Sequence, residues 1–98
     1  MTSHLERRLL DVSDRLKRAR AELAVTDEQL VFLEDEADDA RLRALVSETP
    51  LGDVEARETR RHADALSRQR DALASSVAAL ESEQDQLLDR MSATLATE

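Results

Sequence analysis

The sequence predicts an all-α protein in which two long helices form an antiparallel coiled-coil hairpin. Three observations predict this fold. Apolar residues recur at alternating intervals of four and three residues, which is the heptad spacing of a coiled-coil seam. The 98-residue chain has one glycine and one proline, close together near its middle, which leaves room for a single break. Charged residues make up 37% of the chain, as is typical of long helices. We therefore expect residues 1–98 to form a single helical hairpin.

The first helix is predicted over residues 3–47. Thr2 or Ser3 can cap its N-terminus, with Glu6 placed three residues after Ser3 in a capping-box arrangement. The heptad spacing continues without a slip, and Thr26 is its one polar member. The first predicted seam consists of Leu5, Leu9, Val12, Leu16, Ala19, Leu23, Thr26, Leu30, Leu33, Ala37, Ala40 and Ala44.

The break between the helices is predicted at residues 48–52. Thr49 precedes Pro50, and a residue before proline is disfavoured in helical backbone. Thr49 can then cap a second helix in which Pro50 takes the first position, where its missing N–H costs no hydrogen bond. Asp53 is the alternative cap. A linker this short makes the second helix run antiparallel to the first.

The second helix is predicted over residues 50–96, with a weaker seam. Arg70 and Gln84 are its polar members. We expect Arg70 to help fix the register of the hairpin. The alternative is that its stem packs in the seam while its guanidinium reaches toward Glu28 or Glu34. The second predicted seam consists of Ala56, Thr59, Ala63, Leu66, Arg70, Leu73, Val77, Leu80, Gln84, Leu87, Met91 and either Thr94 or Leu95.

The distribution of charge supports the same pairing of the two helices. Residues 27–39 contain seven acidic residues and no basic one, whereas residues 57–70 contain five arginines and two acidic residues. Exposed ion pairs contribute little stability individually, but complementary charge steers orientation. The predicted flanking pairs are Arg15–Glu83, Arg20–Glu81 and Arg43–Glu55, with Glu36–His62 as a further candidate. Two like-charge pairs, Arg8–Arg90 and Arg41–Arg60, oppose this register.

A second group of apolar residues lies off both seams. A two-helix hairpin buries one stripe per helix, and so small a core seldom holds a fold together alone. We expect another helix to cover this group, from a second copy in a four-helix bundle or from a protein partner. The predicted partner-binding residues are Val25, Phe32, Leu45, Val46, Leu51 and Val54.

Composition argues against several functional classes. The net charge of −8 disfavours a nucleic-acid binder, which needs clustered cations. No apolar run approaches the roughly 18 residues of a membrane span, and the N-terminus lacks the core of a signal peptide. Phosphate-binding loops and catalytic triads are not recognisable, so we expect a cytoplasmic, non-enzymatic protein without a cofactor. Glu58 and His62 have the spacing of metal ligands, but an ion pair explains them equally well, and no metal is expected.

The arginines of the second helix suggest an alternative function, because guanidinium groups suit phosphate and carboxylate recognition. The predicted architecture resembles that of actinomycete anti-sigma factors that bind cyclic di-GMP through a helical Glu-x3-Ser-x2-Arg-x3-Gln-x3-Asp motif. Ser67 and Arg70 match its Ser-x2-Arg spacing, while alanine occupies the other three positions. This resemblance implies a transcription regulator responsive to a phosphorylated nucleotide. The candidate ligand-binding residues are Arg57, Arg60, Arg61, Arg68 and Arg70.

A further resemblance concerns the turn. Hairpins that enter the secondary channel of RNA polymerase carry acidic residues at their tip, and this turn has Glu48 and Asp53. Acidic residues beside a helix N-terminus are also explained by the helix dipole. The sequence thus favours a small cytoplasmic adaptor or regulator that binds protein and forms a homo-oligomer, with a ligand-responsive or polymerase-binding regulator as the alternative. It does not identify the partner.

Overall fold

The computed structural model describes residues 3–97 and consists of two long α-helices packed against each other. Helix α1 spans His4–Ser47 and helix α2 spans Pro50–Ala96. The described residues contain no strand. The predicted all-α hairpin is therefore confirmed.

The N-terminus of α1 is capped by Ser3. The backbone N–H of Glu6 donates to Ser3 Oγ at 3.1 Å, and the N–H of Arg7 donates to the carbonyl of Ser3 at 3.0 Å. Both bonds satisfy N–H groups that have no partner inside the helix. Ser3 is thus the cap, and the other candidate, Thr2, lies outside the described residues.

The chain reverses over two residues, Glu48 and Thr49. Glu48 has a φ of 52°, in the left-handed region, and its N–H donates to the carbonyl of Ala44 at 3.0 Å. This bond ends α1 in the simple left-handed C-cap, a place that glycine usually occupies. For a residue with a side chain the conformation costs roughly 1–2 kcal/mol. The turn is shorter than residues 48–52, because α2 begins at Pro50.

Thr49, and not Asp53, caps α2. The backbone N–H of Gly52 donates to Thr49 Oγ1 at 3.1 Å, and the N–H of Asp53 donates to the carbonyl of Thr49 at 3.1 Å. A Cβ at position 52 would lie 3.1 Å from Thr49 Oγ1 and 2.9 Å from Ser47 Oγ. Glycine at this position therefore leaves the capping hydroxyl room beside the first turn of the helix.

The contacts divide the hairpin into two compact units. The turn unit comprises residues 23–72, and the end unit comprises the described residues 3–22 and 73–97. In the end unit the core is made of larger aliphatic side chains. Its buried residues are Val12, Leu16, Val77, Leu80 and Leu87.

The turn unit has a core of small residues. Its buried residues are Thr26, Ala37, Ala40, Ala44 and Ala63. Alanine removes less apolar surface from water than leucine, so this unit gains less stabilisation for each seam position. In the described chain no buried side-chain nitrogen or oxygen lacks a hydrogen-bond partner, and this includes the hydroxyl of Thr26.

The seams follow the predicted heptad spacing. Each predicted seam residue from Leu5 to Ala44, and from Ala56 to Met91, is buried or half-buried. Thr94 and Leu95 are exposed, so the second seam ends at Met91. One of its polar members, Gln84, has a partner on α1: its Nε2 donates to Ser13 Oγ at 3.0 Å within the end unit.

Candidate interaction surfaces

The six predicted partner-binding residues all lie on the surface of the turn unit. Phe32 is 73% exposed and Val46 is 86% exposed, and neither side chain is covered by the other helix. Large apolar side chains in water are the usual mark of an interaction site when they lie together. Their positions on α1 and α2 show which of these side chains lie together on one surface.

One apolar surface lies on the side of the seam marked by the Arg43–Glu55 ion pair, whose nitrogen and oxygen are 3.1 Å apart. Residues two heptads from this pair share its side: Gln29 on α1 and Gln69 on α2. Phe32 lines a groove of about 360 Å³ here together with Gln29, Leu33, Glu36 and Leu66.

We name this surface the Phe32 face. Its α1 half has large side chains and its α2 half has small ones. No member is charged, although 37% of the chain is. The face consists of Val25, Gln29 and Phe32 on α1 with Ala65, Gln69 and Ala72 on α2.

A second apolar surface surrounds the turn, and we name it the turn patch. Leu42, Leu45 and Val46 have the i, i+3, i+4 spacing of one helix face, and each is more than half exposed. Leu51 and Val54 project from the first turns of α2. Leu42 was not among the predicted partner-binding residues, although its spacing from Leu45 and Val46 was visible in the sequence.

Two of the five candidate ligand-binding arginines are held in ion pairs. Arg60 lies 2.7 Å from Glu34, 3.0 Å from Asp38 and 3.9 Å from Asp64. Its hydrogen bond to Glu34 is the main cause that raises the pKa of Arg60 above its ordinary value. The guanidinium therefore already has carboxylate partners within the turn unit.

Arg70 is half-buried in the seam and binds carboxylates other than the expected ones. Its Nε donates to Asp27 Oδ1 at 2.8 Å, and its Nη1 donates to Asp71 Oδ1 at 3.3 Å. The hydrogen bond to Asp27 is the first cause of its raised pKa, followed by the bond to Asp71. The alternative in which Arg70 reaches Glu28 or Glu34 is thus wrong.

The other three candidate arginines, Arg57, Arg61 and Arg68, form no ion pair among the described residues. Arg57 and Arg61 line a groove of about 430 Å³ together with Arg41 of α1. Ala37 and Ala56 also line this groove, as do Arg60 and Asp64. Arg68 does not line it. Arg41 was not among the candidate residues, because its contribution depends on how the two helices pair.

The predicted flanking ion pairs are found in two of four cases, and Glu36 and His62 form no ion pair among the described residues. Arg20 lies 3.5 Å from Glu81 in the end unit, and Arg43 pairs with Glu55 in the turn unit. Arg15 lies 3.9 Å from Asp11, while Glu83 pairs with Arg8. The expected Arg15–Glu83 pair is thus replaced by Arg8–Glu83.

The described residues form neither a metal-binding cluster nor a membrane-spanning segment. Within residues 3–97 no group of three or more His, Cys, Asp or Glu side chains is placed to hold a metal ion, and this covers Glu58 and His62. Neither helix contains an apolar stretch long enough to cross a bilayer over the described residues.

Comparisons with protein-family models, with curated proteins and with solved structures give no match for this chain. Fold alone does not imply function, which depends on the surfaces of the molecule. The turn unit has three candidate binding surfaces: the Phe32 face, the turn patch, and the groove lined by Arg41, Arg57 and Arg61, which we name the arginine groove.

Proposed function

We propose that the protein is a non-enzymatic interaction module that pairs with a second copy of itself through the Phe32 face. The observation that carries this proposal is a phenylalanine ring that is 73% exposed among uncharged residues, with Glu36 at the edge of the same groove. Covering such a ring contributes on the order of 2–3 kcal/mol. Two hairpins joined in this way form a four-helix bundle, which gives each helix a second buried stripe.

The shapes of the two halves of the face favour a second copy as the occupant. A two-fold dimer uses the same patch on both copies, so the patch has to complement itself. Val25 and Phe32 are large and lie on α1, whereas Ala65 and Ala72 are small and lie on α2. A two-fold axis that sets α1 of one copy against α2 of the other places large side chains against small ones, as close packing requires.

The charges beside the face favour the same arrangement. Glu28, Asp35 and Asp39 of α1 have no ion-pair partner among the described residues, and neither has Arg68 of α2. Residues 21–40 of α1 contain no basic residue. Packing α1 against α1 of the second copy would bring like charges together, whereas packing α1 against α2 brings opposite charges together.

The wider role that we propose is that of a small cytoplasmic adaptor or regulator. A dimer formed through the Phe32 face leaves Leu45 of the turn patch open, because Leu45 lies two heptads after Val31 and therefore off the face, whereas Val46 lies two heptads after Phe32 and shares its side. An exposed aliphatic ridge flanked by charged residues suits the groove of a helical protein partner. The dimer would thus offer two equivalent docking sites.

The proposal is tested by sedimentation of wild-type protein and two variants across the micromolar range. Phe32→Ala removes the ring from the face, and we expect it to shift the protein toward the monomer. Val31→Ala is the matched control, because Val31 is the neighbouring residue, is 61% exposed and lies off the face. It should sediment like the wild type.

Circular dichroism of the same samples separates assembly from folding, since Phe32 contributes nothing to the seam. Helicity should be equal in the three proteins. A wild type that stays monomeric at every concentration, or a Phe32→Ala variant that associates as strongly as Val31→Ala, would contradict the proposal.

A further inference from the structure

We propose that Arg41, Arg57 and Arg61 form a binding site for a nucleoside triphosphate in the groove on the other side of the seam. This inference is independent of the proposed dimer. The site is built from both helices of the turn unit, and the Phe32 face is not part of it.

The groove exists because the seam is made of small residues near the turn. Ala37 of α1 and Ala56 of α2 form its apolar floor. Arg41 lies one helical turn after Ala37, Arg57 follows Ala56 directly, and Arg61 lies one turn after Arg57. Side chains at these spacings rise from one helix face, so the three guanidinium groups border the same floor.

These three arginines have no carboxylate partner within residues 3–97, although acidic residues outnumber basic ones 22 to 14 in the chain. The acidic residue that lines the groove, Asp64, is within 3.9 Å of Arg60. Arg60 also binds Glu34 and Asp38, which removes these carboxylates from the neighbouring arginines. The groove therefore keeps unpaired cations in an acidic protein.

The three arginines place like charges close together. Arg57 and Arg61 are four residues apart on α2, a spacing at which like charges repel, and Asp53 and Glu58 have the spacings that offset part of this repulsion. Arg41 adds a third positive charge from α1. A bound anion removes the remaining repulsion.

The chemistry of the groove points to several phosphate groups and a flat ring. Guanidinium groups bind phosphate oxygens with two parallel hydrogen bonds, and three of them match the spread charge of a triphosphate. The groove volume of about 430 Å³ lies within the usual range for small-molecule sites. The alanine floor offers an apolar surface for a nucleobase, on which an arginine can also stack.

The test is titration calorimetry of the full chain with ATP, GTP and inorganic tripolyphosphate at fixed salt without divalent cations. We expect both nucleotides to bind, and to bind more tightly than tripolyphosphate because the base covers the alanine floor. Equal affinity for the nucleotides and for tripolyphosphate would overturn the nucleotide assignment. Absence of heat with all three would overturn the site.

Variants locate the site. Arg57→Gln and Arg61→Gln should each weaken ATP binding by about tenfold, the loss expected for one charge-assisted hydrogen bond. Arg90→Gln is the matched control, because it changes the charge equally on the same helix but lies outside the groove and outside the Phe32 face. It should bind ATP within about twofold of the wild type.

An equal loss of ATP affinity in all three variants would mean that ATP responds to the overall positive charge of α2 and not to the groove. That result would overturn the proposal. Circular dichroism checks that each variant is as helical as the wild type. Should Arg57→Gln be less helical, Arg57→Lys provides the second measurement: it keeps the charge but loses the bidentate geometry, so weakened binding at full helicity supports the site.

Discussion

Glu48 is the residue at which the backbone leaves α1, and its conformation is costly. Its φ of 52° lies in the left-handed region, where a side chain is unfavourable by roughly 1–2 kcal/mol. The structure tolerates this because the N–H of Glu48 satisfies the carbonyl of Ala44 and because the reversal takes only two residues. The short turn therefore lowers the stability of the hairpin by the cost of this strained conformation.

Glu48→Gly should raise the free energy of unfolding by about 1 kcal/mol, because glycine adopts positive φ without a side-chain penalty but loses more chain entropy on folding. Urea unfolding followed by circular dichroism measures the change. Glu48→Ala is the control, since it removes the carboxylate and keeps the strain. If both variants were stabilised equally, the backbone would not be the cause.

Thr49 contributes through its hydroxyl group. Thr49→Ala removes the acceptor for the N–H of Gly52, and the loss of a helix cap costs about 1 kcal/mol. Thr49→Ser keeps the hydroxyl and should unfold at nearly the wild-type urea concentration. A Thr49→Ala variant as stable as Thr49→Ser would show that the hydroxyl is not the cap.

At the scale of the helices, stability comes from the two seams. The seam of the end unit has leucine and valine in its buried positions, whereas that of the turn unit has alanine. Each helix is longer than forty residues, and its isolated propensity is a minor term beside the burial of its seam. A charge placed in the seam is therefore far more damaging than a charge placed on the outer surface.

Leu80→Asp should abolish cooperative unfolding at 25 °C. Leu80 is 9% exposed, and an unpaired carboxylate there loses its hydration and leaves a gap in the seam. The cost is several kcal/mol, comparable with the whole stability of a small domain. Leu10→Asp makes the same change at a residue that is 63% exposed, and it should melt close to the wild type. Similar melting of the two variants would disprove the seam.

At the scale of the whole molecule, the proposed dimer couples stability to concentration. A partner that binds only the folded chain stabilises it by mass action, so the melting temperature of the wild type should rise with protein concentration. Phe32→Glu places a charge in the Phe32 face and should make the melting temperature independent of concentration. Val31→Glu is the matched control and should retain the dependence. A wild-type melting temperature that does not move across a hundredfold concentration range would count against assembly.

Much of the architecture could be predicted, because a heptad seam and a proline-marked break are properties of neighbouring residues. The spacing identified the buried positions of both helices. Exposure of Phe32 and Val46 followed from their places off the seam. By contrast, the choice between Thr49 and Asp53 as the cap depended on where the second helix begins. Thr49 accepts from the Gly52 N–H, whereas Asp53 as a cap would accept from an N–H one turn further along the chain, and no pattern resolves a difference of one turn.

Helical periodicity and a short linker act along the chain, so the two helices, their seams and their antiparallel order could be read from the amino-acid pattern. The partners of the arginines depended on the packing of the helices: Asp27 for Arg70, and Glu34 with Asp38 for Arg60. The arginine groove was decided in the same way, because Arg41 meets Arg57 and Arg61 only through the pairing of two helices. A side chain reaches carboxylates on neighbouring turns equally well, and the register between the helices selects among them.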